Sequence, residues 1–433
     1  MTDWIGETFT SETGWNHLET LVDIGNRMAG SAGEHEAAAA TRDALAEHAR
    51  DAHLDEFTIQ GWERGTAHVA AGDTEQDCIA LPRSPSKSAT GALVDLGHGL
   101  PEDFAERDLD GNVVLVDSAV PDHYERVVHR REKYYRAVEA GAGAFVFANH
   151  YPGGLVPTGS VGTADAPIGE IPAVGVSKEV GARLARRFDG GRVTVDVEAS
   201  LSEATSRNVH AELGPDTEEE LLLTAHVDAH DVAEGAMDNG AGTAMVVELA
   251  RALADREDEL DTRVHVVVFG AEEVGLVGSA RDADRRVLDD VRAVVNLDGV
   301  AAARTLEFTT HGFDALEAAA REVGERFAHP VTIDPELGPH SDHWSYVQRG
   351  VPGYMVASDT GDSGRGWGHT AADTLDKLEA RTFREQAILL TALAVALADD
   401  GFTVAHAAPE DVAAACEAQY LAAGMKVTGD WPF

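Results

Sequence analysis

The sequence predicts an α/β protein with a mainly parallel central sheet flanked by helices, interrupted by a small β-rich insertion. Three observations lead there. From residue 219 onward, apolar strand-like runs alternate with helix-like stretches, the pattern of a parallel sheet covered on both faces. Between residues 86 and 200, short β-type runs recur at a different spacing, with Gly and Pro crowded into 152–172. His and carboxylate residues follow several of the apolar runs in the second half.

The elements follow in order. Residues 11–52 read as helical, with Thr10 and Ser11 as caps, the Asn26–Ser31 stretch as a break, and an Ala-rich helix over Glu36–Ala49. Residues 53–72 alternate as strands do. Inside the insertion, strand runs fall at Ala92–Val94, Val113–Val116, Ala144–Phe147, Pro172–Val176 and Val193–Val197. Helices are expected at Tyr134–Ala142 and Lys178–Phe188. The regular part then reads strand Leu221–Ala225, helix Thr243–Ala254, strand Val264–Phe269, helix Leu276–Leu288, strand Ala293–Leu297, helix Phe313–Phe327, strand Pro352–Val356 and helix Thr382–Ala398. A single short helix is expected over Asp411–Ala423. The division is therefore 1–85 and 201–405 for the larger domain, 86–200 for the insertion and 406–433 for a tail.

The chain has 433 residues, with 34 Lys+Arg against 76 Asp+Glu and a formal net charge of -42. Lys87, Lys133, Lys178, Lys377 and Lys426 are the full set of lysines. The acidic excess runs along the whole chain and reads as a halophile-type surface. Such a field repels phosphate, so nucleic acid is excluded as a partner. The two cysteines, Cys78 and Cys416, supply neither a disulfide framework nor a thiolate cluster, so any metal must use N and O ligands. No signal sequence or membrane-spanning run is seen, and the expectation is a cytoplasmic protein without membrane contact; the oligomeric state is left open.

In open α/β sheets, ligands collect at the carboxyl ends of the strands. His226 and Asp228 follow the first strand of the regular part, Glu272 and Glu273 the second, and Asp298 the third. Asp238 precedes Gly240 and Gly242 at the entrance to a helix. His369 follows the Gly-rich stretch Gly364–Gly368. Two His and three carboxylates suit two zinc-like ions that share one carboxylate. The expected bridge is Asp238, with His226 and Asp298 on one ion and Glu273 and His369 on the other. Asp228 can accept the free N–H of the His226 imidazole and fix its tautomer. Glu272 is left as general base, taking a proton from the activated water and passing it to the leaving amine. His230, His340 and His343 are weaker candidates; the segment His340–His343, with Asp342, either lines the substrate pocket or forms a satisfied loop network.

These residues resemble a known pattern. Ala225–Asp228, Gly235–Gly242, Ala271–Ser279, Asn296–Gly299, Ser341–His343 and Gly368–Thr370 with Asp373–Thr374 look like the di-zinc aminopeptidase family, relatives of leucyl aminopeptidases, glutamate carboxypeptidase II and carboxypeptidase Q. The resemblance implies two Zn2+ ions per chain in the roles given above, with peptides as substrates. It also implies removal of N-terminal residues, with dipeptidase or carboxypeptidase Q-like activity, or a non-enzymatic binding role, as alternatives. The segment from about 88 to 198 is similar to a protease-associated domain, through Gly111–Val116, Gly141–Ala144 and Ile171–Val174 with Val176–Ser177. In relatives this insertion shapes the substrate entrance; the alternative is a passive structural insert.

The charge balance generates a first prediction. Self-repulsion should destabilise the compact state at low ionic strength, and salt at about 1 M shrinks the screening length to roughly 3 Å. Thermal unfolding followed by circular dichroism should show a midpoint several degrees higher in molar KCl than in dilute buffer; a midpoint unchanged by salt contradicts the reading.

Overall fold

The computed structural model describes residues 3–124, 126–361 and 366–433; Gly364 and Arg365 of the Gly-rich stretch, like Met1 and Thr2, lie outside them. Three helices, Asp3–Thr10, Thr13–Asp23 and Ala32–Ala46, open the chain. Ser31 caps the third, its hydroxyl accepting from the Glu34 amide at 3.1 Å. The helix ends at Ala46 and a strand begins at Arg50, so the helical expectation to residue 52 is too long.

The strands in chain order are β1 (Arg50–Ala71), β2 (Thr74–Gln76), β3 (Ile79–Ala80), β4 (Lys87–Asp95), β5 (Val113–Asp117), β6 (Ala144–Ala148), β7 (Ala173–Val176), β8 (Arg192–Leu213), β9 (Glu220–His226), β10 (Arg263–Phe269), β11 (Val291–Leu297), β12 (Leu306–Thr309), β13 (Val331–Asp334) and β14 (Gly353–Ser358). Their spatial order is β13-β12-β14-β11-β9-β10-β8-β4-β5-β6-β7-β3, with β1 on β8 and β2 on β1. The pairs β10–β9, β9–β11 and β11–β14 are parallel, whereas β8–β10 and β12–β14 are antiparallel. The expected mainly parallel sheet is therefore present, with antiparallel strands toward its edges. Every residue of β9 and β11 is buried, as strands covered on both faces require.

The two 22-residue strands β1 and β8 join the two parts of the molecule. One end of β8 pairs with β10, through Leu213↔Val264 to Val209↔Val268, and the other with β4, through Val193↔Gly91 to Val197↔Lys87. Between them, residues Ala199–Ala204 are mostly exposed and carry no apolar alternation. They stay extended because β1 pairs with them along the ribbon and satisfies the backbone.

Helix Ala241–Ala254 lies under the sheet, with Leu249, Leu253, Met245 and Val246 buried against Leu221, Leu223 and Ala225. Each such buried aliphatic side chain contributes about 1.5–3 kcal/mol of burial. Helix Ala380–Ala398 packs beside it. The tail differs from expectation. It folds as two helices, Pro409–Ala418 and Leu421–Thr428, broken at Tyr420 with φ 58°. The second meets insertion helix Arg130–Glu139, where a Cβ on Gly424 would stand 2.4 Å from the Glu132 carboxylate. Arg131 forks onto Asp430 at 2.9 and 3.0 Å, so the tail ties the insertion to the larger domain. Among the described residues, no helix is long and apolar enough to cross a membrane.

Buried imidazoles set the acid limit of this fold. His17 lies against Thr41 at 3.0 Å, and burial, with the charge on Arg27, lowers its pKa from 6.5 to about 4. A group with a depressed folded pKa takes up its proton first in the unfolded chain. The His17 contribution is therefore complete above pH 6.5 and is lost as pH falls toward 4, by up to about 3 kcal/mol. Urea midpoints measured at constant salt between pH 7 and 4 should fall less steeply for His17→Gln than for the wild type; equal slopes would contradict this.

Candidate metal centre

The strand ends build the site. β9 terminates at His226 itself. After β10, Ala271 takes a left-handed conformation with φ 59° and turns the chain into Glu272 and Glu273. Asp298 directly follows β11, its amide donating to Val356 on β14 at 3.0 Å. His369 lies beyond β14. Because β10, β9, β11 and β14 are parallel neighbours, these ends share one rim.

Asp238 stands between two groups of donors. Its Oδ1 is 3.4 Å from His226 Nε2, and its Oδ2 is 3.1 Å from His369 Nε2. On the first side, Asp298 Oδ1 is 3.8 Å and Glu272 Oε2 4.0 Å from His226 Nε2. On the second, Glu273 Oε2 is 3.2 Å from His369 Nε2 and 2.9 Å from His230 Nε2. Two clusters thus have metal-ligating geometry: His226, Glu272 and Asp298, and His230, Glu273 and His369. The structure brings together all five residues expected as ligands, and Glu272 with them.

Buried polar groups hold the clusters in place. The Asp228 carboxylate accepts from both Glu272 and Glu273 amides, at 3.0 and 3.1 Å. This revises the expected contact. His226 Nδ1 lies 3.0 Å from the Asp228 carbonyl oxygen and 3.5 Å from its carboxylate, so the backbone rather than the side chain makes the shorter bond. Asp373 accepts from the Met237 and Asp238 amides at 2.7 and 3.1 Å, and burial raises its carboxyl to about 7. Asn239 donates to the Leu297 carbonyl at 2.8 Å and accepts from the Gly242 amide at 3.0 Å. A Cβ on Gly242 would lie 2.3 Å from that same carbonyl, which explains why a glycine opens this helix. The Arg27 guanidinium, fully buried, donates to carbonyls of Leu21, Val227, Glu234 and Gly235 at 2.7–3.2 Å, locking the loop that carries Asp238. Glu34 supports Ala271, accepting from its amide at 3.2 Å; burial, with Asp228 nearby, raises its carboxyl to about 8.

The electrostatics demand cations. Burial pushes the Glu272 carboxyl well above its usual range, and Glu273, Asp342 and Asp298 push it further, against His226. Burial opposes charge on His226, but Glu272, Asp228, Asp238 and Asp298 outweigh it and raise its pKa well above 6.5. His226 Nε2, both His230 nitrogens and Glu273 Oε1 are buried without a hydrogen-bond partner. Orphaned N and O donors around massed carboxylates fit a pair of zinc ions, which take these ligand types.

Of the three residues expected at the substrate pocket, only His340 is exposed. It stacks on His129 of the insertion at 5.1 Å. Asp342 and His343 are fully buried, and Asp342 is near enough to Glu272 to help raise its carboxyl. They open helix Trp344–Val347, which packs inward. His343 bonds the Gly338 carbonyl at 2.8 Å and stacks on His311 at 4.7 Å. His230, one of the weaker candidates in the sequence, enters the second cluster. Arg27 and Glu34 carried no spacing signal, since the partners that tie them to the site, Val227, Glu234 and Gly235 for Arg27 and Ala271 for Glu34, are distant in the chain.

The insertion reaches this rim. The Thr158 amide donates to the His369 carbonyl at 2.8 Å; Arg83, in the segment just before the insertion, donates to the Val274 carbonyl. Arg64 on β1 binds Asp231 through two bonds, at 2.5 and 2.8 Å.

A carboxylate-rich, His-flanked rim on a mainly parallel sheet defines a metallohydrolase. Residues 208–394 match peptidase family M28, and residues 88–184 match the PA domain. The part of the chain that carries the site is thus similar to the M28 peptidases, and the segment before it is similar to a PA domain. It is 26% identical over 399 residues to aminopeptidase YwaD of Bacillus subtilis, covering 89% of this chain and 84% of that protein. The structure of an aminopeptidase from Aneurinibacillus sp. strain AM-1 matches with TM-score 0.72 at 25% identity, over 94% of this chain and 98% of that one. An M28 peptidase precursor from Shewanella amazonensis SB2B shares the fold, with TM-score 0.78 at 21% identity over 93% and 97% of the two chains.

Proposed function

We propose that this chain is an aminopeptidase with two co-catalytic zinc ions, releasing N-terminal residues from peptides. Asp238 would be shared between the ions, with His226 and Asp298 holding one and Glu273 and His369 holding the other. The observation that carries the reading is the division of the Asp238 carboxylate, one oxygen toward each His. The similar proteins named as aminopeptidases, one from Bacillus subtilis and one from Aneurinibacillus, support the substrate class.

When bound, the zinc pair supplies Lewis acidity for the scissile carbonyl and lowers the pKa of water toward about 7. The chain's own residues do the rest. Glu272 is the general base. Asp228 aims it through its amide, and its Oε2 stands on the His226 side of the cluster. Glu272 passes the proton it has accepted to the leaving amine. The surrounding carboxylates favour a cationic α-amine at the rim. Arg64 and Arg83, which reach this region, are occupied by Asp231 and the Val274 carbonyl, so neither is offered to a substrate carboxylate. This favours the aminopeptidase reading over carboxypeptidase action.

Glu272→Ala should leave the zinc content unchanged while turnover of an aminoacyl amide in molar salt falls by about 10²–10⁴-fold. N-acetylation of the substrate should abolish cleavage by the wild type. Retained turnover in the variant, or cleavage of the blocked substrate, would overturn the proposal.

A further inference from the structure

The two donor clusters are unequal, and the difference lies in His230. Its ring is buried, with a relative exposure of 5%, and neither nitrogen has a hydrogen-bond partner. A buried imidazole without a partner is costly, and most are satisfied by protein or water. His230 Nε2 stands 2.9 Å from Glu273 Oε2, yet the contact is not aligned as a hydrogen bond. Its ring meets the His369 ring edge-on, with centroids 4.5 Å apart and planes at 89°. Donors about 2.0–2.2 Å from one zinc ion stand roughly 2.9–3.6 Å from each other, depending on coordination number. The contacts His230–Glu273 at 2.9 Å, Glu273–His369 at 3.2 Å and His369–Asp238 at 3.1 Å all fall in that range. Between these residues lies a cavity of about 10 Å³, lined also by Gly235 and Asp373, with room for one small sphere.

We propose that His230 is a protein ligand of the ion held by Glu273 and His369. The inference rests on the two-zinc reading above and deepens it. That site then has four protein donors: Nε2 of His230, Nε2 of His369, a Glu273 oxygen and Oδ2 of Asp238. The other has three: Nε2 of His226, Oδ1 of Asp238 and an Asp298 oxygen. Four protein donors close a zinc site, whereas three leave a position open. The open position lies beside Glu272, where the base is needed. The closed site should load first and hold its ion more tightly, and the open one should exchange its ion readily.

Chelator-stripped protein titrated with Zn2+ by calorimetry, with metal counted by emission spectroscopy and Co2+ absorption spectra recorded in parallel, tests the assignment. The wild type should take up two ions in two affinity classes. His230→Ala should weaken the tight class by tenfold or more, leave the weak class unchanged and alter the Co2+ spectrum of the first equivalent. His230→Asn, which keeps a polar side chain of smaller reach, should do the same and serves if the alanine variant does not fold. Two ions bound with wild-type affinities and spectrum in a folded His230 variant would overturn the inference while leaving the two-zinc reading intact. One ion per wild-type chain, lost on His230→Ala, would overturn the two-zinc reading while supporting the ligation.

Discussion

Like charges gathered at one buried rim are the constraint on which the rest of this molecule turns. Asp228, Asp238, Glu272, Glu273 and Asp298 are brought to the ends of parallel strands, with Asp342 and Asp373 close behind. Burial and mutual repulsion drive the carboxyls of Glu272, Asp342 and Asp373 upward, that of Asp342 to about 8, whereas His230 and His369 hold Glu273 below the usual range against its burial. A protein tolerates such a group when cations repay the desolvation. The His residues between the carboxylates do not repay it as hydrogen-bond donors, because key nitrogens lack partners. The arrangement makes physical sense as a receptacle for metal.

Shaping that receptacle is the task of the fold. The strands set the rim, but the loops are set by buried groups that grip backbone: Arg27 on the segment entering Asp238, Asp373 on the amides before it, Asn239 on β11, and Asp228 on both glutamates. Each is desolvated and satisfied, which fixes geometry within narrow limits. The PA domain joins this frame through the β1–β8 ribbon, the Thr158–His369 bond and the Arg131–Asp430 fork. It is therefore anchored at three places, one of them the rim itself.

Much of this was legible in the sequence, for physical reasons that also explain the gaps. β9 and β11 are buried on both faces and read as unbroken apolar runs, so the residues ending them could be placed on one rim before any coordinates. β12 and β13 have four residues each and lie at the sheet edge, too short to show a period. β8 runs well past the expected Val197 because pairing with β1, and not side-chain burial, keeps it extended. In the site, His226, Asp238, Glu273, Asp298 and His369 stood out by position and type. The Asp228 contact was misjudged because spacing does not reveal whether carbonyl or carboxylate faces the ring. For Asp342 and His343 the sequence left pocket lining and a loop network both open, because a short polar run does not show which way its side chains face; both are buried at the start of helix Trp344–Val347.

The most direct test is anomalous diffraction recorded on either side of the zinc edge from crystals of the full chain grown with zinc. Two peaks about 3.5–4 Å apart should flank the Asp238 carboxylate, one beside His226 and Asp298 and the other beside Glu273 and His369. A single peak, or none, in a chain folded as described here would contradict the account.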